Sequence, residues 1–425
     1  MDSMEFEFGN RLNLLTGDNG LGKSFLLDLA WWALTRQWPA EINPKLTSGM
    51  KALPADKEKE ATIAFTISGK TGKELVYESK FDRKQQDWKG KSGRPANPGL
   101  VIYAQSDGSF AIWDPARNYW QKKGNIDVQE RQPAYIFSPS DVWNGLQNKD
   151  GSVLCNGLIR DWASWQNEGK TKFNNLTTVL KDLSLSPDER LEPGELTRIN
   201  LDDVRDMPTL KTRYGQDVPI VYASSGVRRI VAMAYFLVWA WHEHLDASKL
   251  LGDKTTNQVI FLVDEIEAHL HPKWQRTMTR AFLEVLKGLI KSPSIQIIMA
   301  THSPLIMASV EPLFDEEKDA WFGFEYDSTP QRSGKRRVVL TKREFEKHGT
   351  YADWLRSEAF DLPSDRSMET EKLIEEASQL LKETSDATKT DIRKMHEKLV
   401  NELNPKDSFL FLWRGVCEKK GFLKT

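Results

Sequence analysis

Residues Arg11 to Ala30 read RLNLLTGDNGLGKSFLLDLA. An apolar run, Leu12-Asn13-Leu14-Leu15-Thr16, ends at Gly17, and Gly22-Lys23-Ser24 stands five residues further on. Phe25, Leu26, Leu27, Leu29 and Ala30 then recur at helical spacing. The pattern is G-x-x-x-x-G-K-S between a strand and a helix, and those flanks separate a phosphate-binding loop from a glycine-rich turn with a chance lysine. Glycines allow several backbone N–H groups to turn inward onto a triphosphate. The following helix aims its positive end at the same phosphates. Asn19, Gly20, Gly22, Lys23, Ser24 and Phe25 are the expected nucleotide contacts. Lys23 reaches the β- and γ-phosphates, and the Ser24 hydroxyl is a ligand for Mg²⁺.

Upstream, Met4 to Phe8 alternates apolar and acidic residues, and Gly9-Asn10 reads as the turn of a hairpin into the Leu12 strand. That opening strand is short, which leaves room for a start further upstream. Downstream, a helix is expected from Gly22 to about Trp38, stopped by Pro39. A polar stretch with Pro44 and Pro54 follows, and then strand-like pieces at 61–67, 74–81, 100–104 and 110–113. Basic, glycine-rich turns such as Lys89 to Arg94 separate them. They suggest an antiparallel β subdomain beside the nucleotide core, with one further strand at 134–137. From Val153 the spacing turns helical through Leu154, Leu158, Trp162 and Trp165, and again through Phe173, Leu176, Val179, Leu180 and Leu183. The acidic segment 184–217, with Pro187, Pro193 and Pro208, completes an inserted helical lobe over 153–217.

Three more stretches carry chemistry. In VPIVYASSGVRRIVAMAYFLVWAW (218–241) a short strand-like run gives way to a strongly apolar helix, with Ser224 or Ser225 as its N-cap. Arg228 and Arg229 in the first turn face the positive helix end, a conflict that an arriving anion removes. The same stretch also reads as an ordinary capped core helix. In QVIFLVDEIEAHLHP (258–272) an unbroken apolar strand ends in Asp264-Glu265, as expected of a strand buried on both faces. Placed beside the strand of the phosphate loop, Asp264 would lie near Mg²⁺ and Glu265 near the γ-phosphate, positioned to polarise a water. In SIQIIMATHSP (294–304) another buried strand runs into His302, which can hydrogen-bond a γ-phosphate.

Bulk composition bounds the rest. The 425 residues suffice for one large or two ordinary domains, and the net charge of −2 gives no global basic field for nucleic acid. A local basic groove stays open. Cys155 and Cys417 form no disulfide framework and fit a reduced cytosol. No apolar run is long enough to span a membrane, so no membrane partner is expected. His242-Glu243-His244 and His269-Leu270-His271 suggest metal ligands only superficially, because positions i and i+2 of a helix do not share a face.

Taken together, Gly17–Ser24, Ser224–Arg229, Asp264-Glu265 and His302 resemble the Walker A loop, signature motif, Walker B motif and switch histidine of the ATP-binding-cassette ATPase head. The signature departs from leucine-serine-glycine-glycine-glutamine, since Ser224-Ser225-Gly226-Val227-Arg228 stands there. With Glu267-Ala268-His269-Leu270-His271-Pro272 and Thr301-His302-Ser303-Pro304, the chain resembles the soluble, OLD-like branch of bacterial anti-phage defence ATPases. It is most similar to the PtuA family of Septu systems and related retrons, with the ATPase of PARIS systems a rival. The glutamine loop is either Gln132 or Ser138 to Asp141.

The resemblance implies an α/β fold: a mixed, largely parallel sheet with a P-loop core, an antiparallel β subdomain and the inserted lobe. It places the ATPase head at 1–342 and C-terminal helices at 343–425, over 371–381, 391–403 and 409–419. No strand-borne Asp-x-Asp of a Toprim nuclease appears there, and no sustained heptads of an SMC protein separate Walker A from the signature. ATP and Mg²⁺ are the implied cofactors, with Glu265 and His302 catalytic and Ser24 and Asp264 on the metal. Ser225, Gly226 and Arg228 meet the nucleotide of a second copy in an ATP-sandwich dimer. The implied partners are that second copy and a separate HNH nuclease subunit, through which nucleic acid is reached. Apolar residues of the C-terminal helices pack on the head or dock the nuclease, and larger assemblies can grow through the lobe or these helices. The other reading is a DNA-repair or DNA-end ATPase acting directly on nucleic acid.

Overall fold

In the computed structural model the strand Leu12–Gly17 (β1) is buried along its length, and the sheet grows outward from it. The structure describes residues 4–68, 74–90, 95–186, 189–213, 215–327, 336–382 and 388–422. Lys91 to Arg94 of one expected turn, and Pro187, fall outside them. Two units are distinguished, Met1–Tyr351 and Ala352–Thr425.

Leaving aside three short two-stranded ribbons, the strands of the first unit are β1, Thr62–Ser68 (β2), Glu74–Asp82 (β3), Asp87–Trp88 (β4), Leu100–Ala104 (β5), Phe110–Trp113 (β6), Tyr135–Phe137 (β7), Gln258–Asp264 (β8), Ser294–Ala300 (β9), Ala320–Tyr326 (β10) and Val338–Arg343 (β11). Eight of them form one sheet in the order β11-β10-β1-β9-β8-β5-β6-β7. The five central strands β10, β1, β9, β8 and β5 run parallel, and the edges are antiparallel. Parallel strands need crossovers, which bury both faces, and this accounts for the unbroken apolar runs.

Helix α1 (Lys23–Thr35) packs across β8 and β9 over a core of Leu15, Leu27, Trp31, Tyr103, Leu262 and Phe322. Helices α2 (Leu158–Glu168) and α3 (Thr171–Asp182) form the lobe. α3 lies against α4 (Ser225–Leu251), whose middle is buried on all sides. Two shorter helices, α5 (Met278–Leu289) and α6 (Pro304–Val310), follow β8 and β9. No helix among the described residues is long and apolar enough to cross a membrane.

Several expectations are corrected. Met4 to Phe8 forms no strand, because β1 already has β9 and β10 as parallel neighbours and offers no free edge. Phe6 and Phe8 instead set their rings edge-on against Phe322. α1 ends at Thr35, where Arg36 turns left-handed, and Pro39 opens a new short helix rather than stopping the old one. Of the strands expected in a separate β subdomain, β2 and β3 do form a ribbon apart, joined by β4, whereas β5, β6 and β7 belong to the main sheet. β8 does not lie beside β1, since β9 sits between them. Val153–Cys155 is a strand, so Leu154 is not helical, and the run before α4 is a strand only at Asp217–Pro219 before a 3₁₀ turn, Ile220–Tyr222.

In the second unit α7 (Met368–Leu380), α8 (Lys389–Glu402) and α9 (Ser408–Lys419) enclose their own core. Ala377, Ile392, Met395, Leu399, Leu410, Trp413 and Cys417 fill it, so these apolar positions are consumed by the bundle itself. Phe411 and Leu412 remain exposed.

Candidate nucleotide site

Parallel register brings the chemistry to one edge of the sheet. Leu15 pairs with Ala300 and Asp264 also pairs with Ala300, so the residues after β1, β8 and β9 emerge side by side. This is the carboxyl end of the strands, where open α/β sheets bind ligands.

The turn after β1 requires its glycine. Gly17 has φ of 131°, and a Cβ there would lie 2.4 Å from the Phe324 carbonyl. Gly22 is left-handed at φ 103° immediately before α1. Lys23 is buried, and its Nζ donates to the carbonyls of Gly17 (2.8 Å) and Asp18 (3.0 Å). Burial pushes the Lys23 pKa down, against the pull of Glu265 and Asp264. Asn19, Gly20 and Phe25 are exposed around the loop.

Asp264 is buried, and its carboxyl is pushed up by burial, opposed by the Ser24 hydroxyl and raised further by Glu265. Its Oδ1 is shut off from solvent and has no hydrogen-bond partner. An orphaned carboxylate oxygen facing a serine hydroxyl is a donor set that suits Mg²⁺, a hard cation that takes oxygen ligands. Glu265 holds a left-handed backbone at φ 46°, an uncommon conformation for a side chain with a Cβ and one that recurs at functional sites. His302 Nε2 lies 3.2 Å from Glu265 Oε1, without the alignment of a hydrogen bond. Burial and then Lys23 lower the His302 pKa, while Glu265 opposes them.

Three residues hold this cluster in shape: Glu267 and Arg229, for which the sequence suggested other roles, and Gln105, which it did not single out. Glu267 Oε1 accepts from the Thr301 hydroxyl at 2.8 Å and from the His302 N–H, clamping the loop after β9 to the turn after β8. Arg229 donates to the carbonyls of Ser106 (2.8 Å), Gln105 (3.2 Å), Asp264 (3.2 Å) and Glu265 (3.3 Å). The helix-start conflict at Arg229 is therefore resolved by backbone oxygens rather than by an anion. Gln105 follows β5 next to Asp264, because Ala104 pairs with Val263. Of the residues expected in the glutamine loop, Gln132 lends its carbonyl to Asn118 and donates its Nε2 to the Ala134 carbonyl at 3.3 Å, and Ser138 and Asp141 form a capping box on the short helix Pro139–Asn144. The only signal for Gln105 was its position directly after an apolar run.

The start of α4 is different. Ser224 is the N-cap, its Oγ accepting from the Val227 N–H at 3.4 Å. Gly226 packs so closely that a Cβ would lie 2.7 Å from the His269 carbonyl. Ser225 and Arg228 are exposed, and no hydrogen bond or ion pair joins them to Lys23, Ser24 or Glu265 among the described residues. Three of the four paired histidines have structural partners. His244 Nδ1 donates to Asp114 at 2.7 Å while its Nε2 accepts from the Thr256 N–H. His242 bonds Asn175, and His271 caps the turn that follows it.

The family model described as "AAA domain, putative AbiEii toxin, Type IV TA system" matches residues 12–308. This chain belongs to that family. It is a nucleotide-binding ATPase. Similar curated proteins bear out the resemblance to the Septu and retron ATPases. The Septu protein PtuA of Bacillus thuringiensis is 23% identical over 331 residues, covering 76% of this chain and 75% of that protein. The Retron Vc95 probable ATPase of Vibrio cholerae serotype O1 biovar El Tor is 25% identical over 188 residues. That match spans 44% of this chain but 33% of the retron protein. Among solved structures, the SMC head domain from Thermotoga maritima aligns with 80% of this chain and 92% of its own, at 14% identity and a TM-score of 0.34.

Proposed function

We propose that the chain is an ATP-driven switch that pairs with a second copy around the nucleotide and thereby controls a separate HNH-type nuclease in cytoplasmic anti-phage defence. Lys23 holds the phosphates, Ser24 and Asp264 hold Mg²⁺, Glu265 orients and polarises the attacking water, and His302 hydrogen-bonds the transferred group. Bound Mg²⁺ supplies charge neutralisation at the phosphate oxygens.

The observation that carries the pairing is the division of the site. Lys23, Asp264, Glu265 and His302 converge at one sheet edge, whereas Ser225 and Arg228 stand exposed at a helix start. A helix start with free N–H groups and an arginine attracts an anion, and the nucleotide of a facing copy meets that need. The defence setting and the nuclease partner rest on kinship with PtuA and the retron ATPase.

Mixing variants tests the pairing. Lys23→Ala chains keep the helix start, Ser225→Arg chains keep the phosphate loop, and each alone hydrolyses ATP poorly. A mixture recovers part of the activity, because a mixed pair contains one complete composite site. Mixed oligomers without recovery would mean that a single chain handles ATP. Copurification with an HNH protein encoded beside this chain tests the partner, and a chain that binds no such protein would remove that half of the reading.

A further inference from the structure

The loop after the inserted lobe presents apolar side chains to solvent on a frame that is already rigid. Thr197 and Met207 exchange backbone hydrogen bonds of 3.0 and 2.8 Å and so close off residues 198–206. Inside, Asn200 Oδ1 accepts from the N–H groups of Asp202 (3.0 Å) and Asp203 (2.6 Å). The Asp203 carboxylate accepts from Arg205 Nε (2.9 Å) and Nη2 (2.7 Å), and Arg205 Nη1 reaches Asn144 Oδ1 at 2.7 Å. The loop therefore needs no apolar residue to keep its shape. Leu201 is nonetheless 99% exposed and Val204 77% exposed. Between them Asp202 is exposed and has no ion pair among the described residues.

A pocket of about 310 Å³ on the same unit has the opposite character. Leu185, Leu191 and Trp274 give it apolar walls, and Arg190, Arg213 and Lys273 outnumber the one lining carboxylate, Glu189. Lys273 is already engaged by Glu189 at 3.2 Å. Arg190 is exposed and has no ion pair among the described residues. The volume is at the small end for a drug-sized ligand but suits aliphatic side chains. Within one chain the pocket does not take the loop, because Leu201 stays in solvent.

We propose that the 198–206 loop of one chain docks into this pocket on a second copy, with Leu201 and Val204 against Leu185, Leu191 and Trp274, and Asp202 against Arg190. Both halves of the contact lie on this one chain, and their apolar and charged parts are complementary, which makes a second copy the occupant. Loop and pocket are different patches, so two copies close the contact by making it twice about a two-fold axis, while longer head-to-tail series close as rings. It does not involve Lys23, Ser225 or the nucleotide, so it supplies a second interface through which nucleotide-held pairs build larger assemblies.

The test is sedimentation of the full chain carrying Lys23→Ala, without nucleotide, so that pairing around ATP makes no contribution. Self-association is expected, weakened by Leu201→Glu roughly 10- to 100-fold for each loop–pocket contact, the loss expected from exposing one buried aliphatic side chain. Asp202→Arg and Arg190→Asp each weaken association, and the chain carrying both recovers it. Circular dichroism checks that each variant remains folded. A parent chain that stays monomeric at all concentrations, indifference to Leu201→Glu, or no recovery in the double variant would each overturn the proposal. None of these results bears on the mixing experiment, so the two readings fail separately.

Discussion

Asp28 provides a quantitative probe of the floor beneath the phosphate loop. It lies one helical turn beyond Ser24 on α1 and is 8% exposed, with its Oδ1 accepting the Tyr103 hydroxyl at 2.9 Å. Burial drives its carboxyl from the ordinary 3.8 up to about 7, opposed by the Tyr103 hydrogen bond and assisted by Asp264 and Asp107. The folded chain thus holds the Asp28 proton more tightly than the unfolded chain does. Its contribution to stability is fully present below pH 3.8 and is lost as the pH rises through about 7. At about 1.36 kcal/mol per pH unit the whole span is worth about 4 kcal/mol, and the part between pH 5 and 8.5 about 2 to 3 kcal/mol. Asp28→Asn keeps the shape and an acceptor for Tyr103 but does not titrate. Urea unfolding of both proteins, without nucleotide or Mg²⁺, compares their stabilities at the two pH values, and shared titrations cancel in the difference. The variant should gain about 2 to 3 kcal/mol on wild type between pH 5 and 8.5. A difference that does not change with pH would refute the assignment of a buried, proton-holding carboxyl at this place.

Glu265→Gln should leave ATP binding intact and slow hydrolysis by at least ~10²-fold; normal turnover in a rapid-quench assay would remove its role in activating water. Glu267→Ala leaves the buried Thr301 hydroxyl and the His302 N–H without their acceptor, each worth about 1.5–3 kcal/mol when bonded to a charged group. Turnover should fall and the melting temperature drop, while Glu267→Gln, which keeps an acceptor, should lose less of both. Equal behaviour of the two variants in steady-state kinetics and calorimetry would mean that the clamp does not depend on that acceptor.

The four chemical stretches were legible because each is local. A phosphate loop needs consecutive backbone N–H groups, so its glycines, lysine and serine must stand together in sequence. Likewise, an acid pair or a histidine at the end of a buried strand is announced by the apolar run before it. The C-terminal helices were equally legible, because their spacing and caps lie within each segment. Strand neighbours were not. The pattern of β8 is the same whether β1 or β9 lies next to it, and only the crossovers place β9 between them. The apolar runs of β5 and β6 likewise could not reveal whether they close a separate subdomain or extend the main sheet.

The same division runs through the site. Sequence by itself indicated that Asp264, Glu265 and His302 follow buried strands and that Lys23 opens the helix after a glycine turn. Tertiary structure decided what holds them. Arg229 meets carbonyls of residues more than thirty positions away, and Glu267 reaches across to Thr301 and His302. Whether an arginine at a helix start waits for an anion or ties two strand ends together depends on which carbonyls the fold brings within 3.3 Å. That distance is set by packing between segments, and no local pattern encodes it.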